Sequence, residues 1–192
     1  MLETGLERSG SREAIVLFSG GIDSTACVHF LKTQHFAVHG LFIDYSQAAA
    51  EQERRAVESL APTLSIQVSI LRIAGLEYSG PGELIGRNAL LISAALFASK
   101  GRSCTIATGI HAGTGYYDCS ERFLDTMNSI TQAQTDGKVS IFNPFADWNK
   151  RDVFDYAAAE NLPLDRTYSC ESGTLPTCGR CASCRDRERL KC

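Results

Sequence analysis

Five short apolar runs, Ala14–Phe18, Val38–Ile43, Ile66–Leu71, Cys104–Thr108 and Val139–Phe142, recur along a chain of 192 residues. Each has the length of a buried strand, and helical patterns separate them. Ala48–Leu60 is charged and alanine-rich, Asn88–Lys100 strongly apolar, Glu121–Gln134 amphipathic and Arg151–Glu160 short. Strands alternating with helices leave few options. The pattern predicts an α/β fold, a parallel sheet with helices on both faces, because parallel crossovers need a covering element. Ligands of such sheets bind beyond the carboxyl ends of the strands. Ser19–Ser24, Asp44–Ser46, Thr108–Cys119 and Asn143–Trp148 are therefore expected along one edge.

The first run passes directly into Ser19-Gly20-Gly21-Ile22-Asp23-Ser24-Thr25, and a helical pattern follows from Asp23. Glycines let the backbone bend and let an anion approach closely. The free N–H groups of a helix start favour a phosphate. An ordinary strand-to-helix turn with a Ser or Asp cap is the plainer reading of the same residues. The stretch lacks the Gly-Lys-Ser/Thr ending of a P-loop NTPase and does not fit GxGxxG.

Hydrophobic residues make up 44% of the chain and charged residues 21%, which describes a globular protein. A net charge of −3 gives no global field for nucleic acid, so any anion site must be local. No stretch resembles a signal peptide or reaches membrane-spanning length, so a cytoplasmic protein is expected, with no membrane partner. Eight cysteines in such a chain do not suggest a disulfide scaffold. Four of them cluster as Cys170-x7-Cys178-Gly-Arg-Cys181-Ala-Ser-Cys184. A thiolate set of this spacing suits Zn²⁺. An iron–sulfur cluster is the rival, although the Cys-Pro that ends the bacterial ferredoxin motif is missing. Three segments are expected: a lead-in over 1–12, the α/β domain over 13–161 and a small cysteine module over 162–192. The module ends in a basic helix, Arg185–Lys191, and the Gly-rich stretch Gly75–Gly86 reads as a loop.

Ser-Gly-Gly-x-Asp-Ser resembles the pyrophosphate loop of the N-type ATP pyrophosphatases, the PP-loop proteins of adenine nucleotide alpha hydrolase-like fold. Further motifs narrow the likeness. "LFSGGIDST", "FIDYSQ", "GRNALL", "GYYDC", "NKRDV" and "CGRCASCR" occur in the order and spacing of the QueC family, the 7-cyano-7-deazaguanine synthases, over residues 13–190. The resemblance implies conversion of 7-carboxy-7-deazaguanine, with ammonia, ATP and Mg²⁺, to an amide and then a nitrile, releasing AMP and pyrophosphate. It implies that Ser19, Gly20, Gly21, Ile22, Asp23, Ser24 and Thr25 hold the nucleotide phosphates, with Asp23 on Mg²⁺. Asp44 and Tyr45 would lie beside the adenosine, although Asp44 can equally cap the next helix. Lys150 would neutralise phosphate charge. Arg87 and Asn88 would sit near the nucleotide, or simply cap their helix. Asp118 would accept from a guanine-like edge, with Cys119 lining the pocket. Family members often dimerise.

Some positions depart from the family pattern. Tyr117 stands where proline is usual, Ser120 where arginine is usual, and His111 where asparagine is common. His111 reads either as a general base or as a hydrogen-bond donor in asparagine's place. The span from Ile73 to Gly86 is shorter than in the family. These changes gather on the acyl-substrate side, which leaves open a relative that joins a related acid to another amine. A thiolation enzyme of the superfamily would need a basic nucleic-acid face that the composition does not supply.

Overall fold

The computed structural model describes residues 12–75 and 82–191. The expected lead-in and part of the Gly75–Gly86 loop fall outside that range. Five strands form one sheet: β1 (Glu13–Leu17), β2 (Ala37–Asp44), β3 (Gln67–Arg72), β4 (Cys104–Ala107) and β5 (Val139–Phe142). Their order is β3-β2-β1-β4-β5 and every pairing is parallel. Strand order reverses between β1 and β4, so a crevice opens at the carboxyl ends of those two strands.

Side chains alternate across β1 and so dictate both layers. Ala14, Val16 and Phe18 pack under α1 (Ile22–Thr33), α2 (Ala50–Thr63) and α5 (Lys150–Ala159). Ile15 faces the other side, where α3 (Arg87–Ser99) lies, and Leu17 packs there against both α3 and α4 (Glu121–Thr135). Phe18, Leu31, Leu60 and Ile92 are at most 1% exposed. Burying each side chain of this size contributes roughly 1.5–3 kcal/mol, so the platform under the crevice is rigid. A nine-residue helix, α6 (Ala182–Leu190), starts within the cysteine cluster and carries Cys184.

Two element starts lie two or more residues from the sequence pattern. The helix expected from Ala48 begins at Ala50, because Ser46 takes φ +64° and its N–H is held by Asp44 Oδ1 at 3.1 Å. Asp44 therefore closes a local turn and does not cap α2, whose start has no side-chain cap. The basic helix expected from Arg185 begins at Ala182, because Cys181 Sγ caps it by accepting the Cys184 N–H. Among the described residues, no helix is long and apolar enough to cross a membrane.

Candidate active site

The Ser19–Thr25 turn leaves β1 at the crevice. Gly20 has φ +76°, and a Cβ there would lie 2.8 Å from Ala56 Cβ, so the position admits only glycine. Gly21 caps α1 with its backbone alone, and no side chain among the described residues caps the first N–H groups of the helix. Ser24 Oγ donates to Gly21 O at 3.1 Å and lies 3.4 Å from Ser19 Oγ. Both hydroxyls and the Asp23 side chain line a cleft of about 800 Å³. Ile22 is 1% exposed, so only its backbone can meet a ligand. Thr25 is fully buried, and its hydroxyl has no hydrogen-bond partner among the described residues.

Opposite the turn, Lys150 is the first residue of α5. Its Nζ reaches both carboxylate oxygens of Asp23, at 2.7 and 2.6 Å. A cation at a helix start is mildly unfavourable, and the local sequence compensates. Asn149 Oδ1 accepts the N–H groups of Arg151 and Asp152, and Asp152 Oδ2 accepts the Asn149 N–H. Asn149→Ala should cost about 1 kcal/mol, a fall in Tm of about 2–4 °C. Calorimetry measures it, and an unchanged Tm would remove the capping box from the account of α5.

The far wall comes from α3 and the β4–α4 connection. Arg87 and Asn88 open α3 and line the cleft. Asp118 is buried and turned to the protein: Oδ2 accepts the Asn88 N–H at 3.2 Å, and Asn88 Nδ2 donates to the Asp118 carbonyl at 2.9 Å. Cys119 does face the cleft, and burial together with the Asp118 charge pushes its thiol up to about 11. A thiol held protonated is a poor nucleophile. Ser120, at the position where the family pattern has arginine, caps α4 by accepting the Phe123 N–H at 3.2 Å.

Sequence reasoning passed over three residues here. Gln47 is pinned at both ends, with Oε1 accepting the Tyr45 N–H at 2.9 Å and Nε2 donating to Ile43 O at 3.3 Å. Its Nε2 also donates to Glu53 Oε2 at 2.7 Å. Burial pushes the Glu53 carboxyl up, against the Gln47 donation and the Arg87 charge. Glu53 and Tyr45 both line the cleft. Glu53 stands among the charged residues of α2, so no local pattern marks it; only the sheet order brings it to the crevice. Glu171 is the third. Its Oε1 accepts from Ser183 N and Oγ at 3.1 and 3.0 Å, and its Oε2 accepts the Gly82 N–H at 3.0 Å.

The four clustered cysteines converge. Their Sγ atoms all lie within 4.8 Å of one another, with Cys178 and Cys184 at 3.9 Å. Backbone N–H groups of Cys178, Cys181 and Cys184 donate to the sulfurs of Cys170, Cys178 and Cys181, each at 3.4 Å. The module also touches the Ser19–Thr25 turn, since the Tyr168 N–H donates to Gly20 O at 3.0 Å. Ala182, Ser183 and Asp186 complete the cleft wall.

A family model described as "Queuosine biosynthesis protein QueC" matches residues 13–86 and 83–190. The chain belongs to the QueC family. The 7-cyano-7-deazaguanine synthase 1 of Desulfitobacterium hafniense (strain Y51) is 30% identical over 203 aligned residues, covering 94% of this chain and 91% of that one. The 7-cyano-7-deazaguanine synthase of Campylobacter jejuni subsp. jejuni serotype O:6 is 29% identical, covering 93% of each. The solved NMN synthetase of Francisella tularensis shares the fold, with a TM-score of 0.56 at 15% identity over 84% of this chain and 68% of its own. The two QueC matches meet at residues 83–86. That junction lies inside the span where the sequence reading places the shortening relative to the family.

Proposed function

We propose that this chain is an ATP-dependent C–N ligase that adenylates 7-carboxy-7-deazaguanine and aminates it with ammonia, first to the amide and then to the nitrile. Two observations support the reading. The D. hafniense and C. jejuni relatives, matched over nearly their whole length, are named 7-cyano-7-deazaguanine synthases. The observation that carries the chemistry is the Asp23–Lys150 pair beside an uncapped helix start, within one cleft.

A carboxylate repels nucleophiles, and transfer to AMP removes its charge and creates a leaving group. The work of the site is then positioning and electrostatic stabilisation. The N–H groups at the start of α1 and the Ser19 and Ser24 hydroxyls would bind the departing pyrophosphate. Lys150 would leave Asp23 for the phosphates as nucleotide enters. Asp23, a carboxylate facing the cleft, is the residue that would hold Mg²⁺, which when bound neutralises phosphate charge. Arg87 would oppose the charge of the acid or of the α-phosphate. Asp118 would act through Asn88, whose backbone it holds. Asp44 supports the turn that carries Tyr45 towards the nucleoside.

The four thiols fit a single Zn²⁺. Zinc–sulfur bonds of about 2.3 Å in a tetrahedron put sulfurs about 3.8 Å apart, close to the 3.9 Å between Cys178 and Cys184. An iron–sulfur cluster would interpose several atoms between each pair and needs a wider cage.

Mass spectrometry after incubation with ATP, Mg²⁺, ammonium and 7-carboxy-7-deazaguanine tests the reading. The nitrile and AMP are the expected products. AMP without nitrile would transfer the proposal to a relative with another amine acceptor, and no AMP at all would overturn it.

A further inference from the structure

His111 stands where the family commonly has asparagine, and it lines the cleft. Its Nδ1 lies 2.8 Å from the Ala112 carbonyl oxygen. A carbonyl oxygen only accepts, so Nδ1 carries the proton, and in the neutral ring the lone pair is left on Nε2. Among the described residues Nε2 takes no hydrogen bond. The residue that sets this tautomer is itself anchored, since the Ala112 N–H, in the peptide that links it to His111, donates to Trp148 O at 2.7 Å. Trp148 leads directly into the Asn149 cap and Lys150. On the other side, Gly109 packs so tightly against α1 that a Cβ there would lie 2.8 Å from the Asp23 carbonyl carbon and oxygen. The segment Gly109–Ala112 is thus wedged between the two helix starts that carry Asp23 and Lys150. It carries one free basic nitrogen into the cleft they share.

From this geometry we infer that His111 Nε2 is the general base of the amination steps. The inference rests on the function proposed above. Imidazole can take and return a proton near neutral pH, which asparagine cannot. In the first round the ammonia lone pair forms the C–N bond at the acyl-adenylate carbon, and the carbonyl π pair moves to oxygen. Nε2 takes a proton from the attacking nitrogen. The oxygen pair then re-forms the carbonyl as the C–O bond to AMP breaks, giving amide, AMP and a proton on the ring. After the ring releases that proton to solvent, a second ATP adenylates the amide oxygen. One of the two amide N–H protons passes to solvent as the neutral imidoyl-adenylate forms. Nε2 then takes the other, the N–H pair forms the third C–N bond, and AMP leaves as the nitrile appears.

Two measurements test this. In the free protein labelled with ¹⁵N-histidine, the His111 ring, assigned by the signal lost in His111→Asn, should show a protonated Nδ1 and an unprotonated Nε2. The opposite tautomer overturns the proposal whatever the substrate proves to be. With substrate, His111→Asn should keep ATP–pyrophosphate exchange within about twofold while amination by ammonium falls about 10²-fold. Hydroxylamine is less basic than ammonia, so the N–H of its adduct is more acidic and passes to water more readily, and its reaction should be much less affected. Equal losses with both nucleophiles, or exchange falling in parallel, would reduce His111 to a positioning residue and sink the base role. If the wild-type protein forms no AMP from this acid, the function proposal fails, and the tautomer spectrum still decides the assignment of His111.

Discussion

Asp23→Ala should lower AMP formation by about 10³-fold or more and leave the fold intact. The magnitude follows from losing a preorganised charge at the point where phosphate charge develops, where a single well-aimed group contributes roughly 10²–10³ in rate. Here one substitution removes two things: the carboxylate that would hold Mg²⁺, and the partner that holds Lys150 at 2.6 and 2.7 Å. Released from Asp23, the ammonium would swing freely on a long stem. Stability should change little, because the two side chains remain 29% and 24% exposed, and ion pairs with that much solvent contribute about 1 kcal/mol or less. ATP–pyrophosphate exchange and circular dichroism on the same sample separate the two effects. Asp23→Asn keeps a hydrogen-bond partner for Lys150 and removes only the charge, so its loss should be nearly as large. Near wild-type turnover in either variant would take the turn out of the mechanism.

With zinc on the four thiols as proposed, stripping it, or replacing Cys181 by Ser, should unfold the module and cut AMP formation more than tenfold. Metal binding by such sites supplies on the order of 10 kcal/mol to local folding. Little else holds the segment, because among its buried residues the cysteines themselves form the core. Cys181 would be lost twice over, as a ligand and as the cap of α6. The damage then reaches the cleft through two named contacts, Tyr168 N–H to Gly20 O and Glu171 to Ser183 and Gly82. Hydrogen exchange should rise across 168–190 while the amides of β1 and β4 stay protected. Elemental analysis showing unchanged metal in Cys181→Ser would remove the four-thiol site. Full activity in the metal-free protein would leave the module with no part in the cleft.

The sheet was legible because β-branched runs alternating with helices admit few arrangements, and Ala14–Phe18 has the length and composition of a buried strand. The strand-to-helix turn was legible because Gly20 meets a steric demand that leaves a mark on the sequence. The spacing of the cysteines reports their convergence for the same reason. Glu53 and Glu171 were not legible. Nothing local distinguishes a glutamate that faces a cleft from one that faces water, and the sheet order or the folding back of the module decides which it is. Asp118 shows the converse. Its motif marks the position, yet the side chain points at the backbone of Asn88, a direction no sequence pattern records. His111 lies between the two cases, since its tautomer depends on the carbonyl of its own neighbour.

The contact between Tyr168 and Gly20 joins segments far apart in the chain, and a ribosome makes the turn well before the loop that steadies it. At roughly 5–20 residues per second, several seconds of synthesis separate the phosphate turn from the backbone amide that steadies it. On the proposed reading, an interrupted chain would carry the turn without its support and without a wall to its cleft. Fragments released early would then burn no ATP, and metal supply late in synthesis would set when the enzyme starts work.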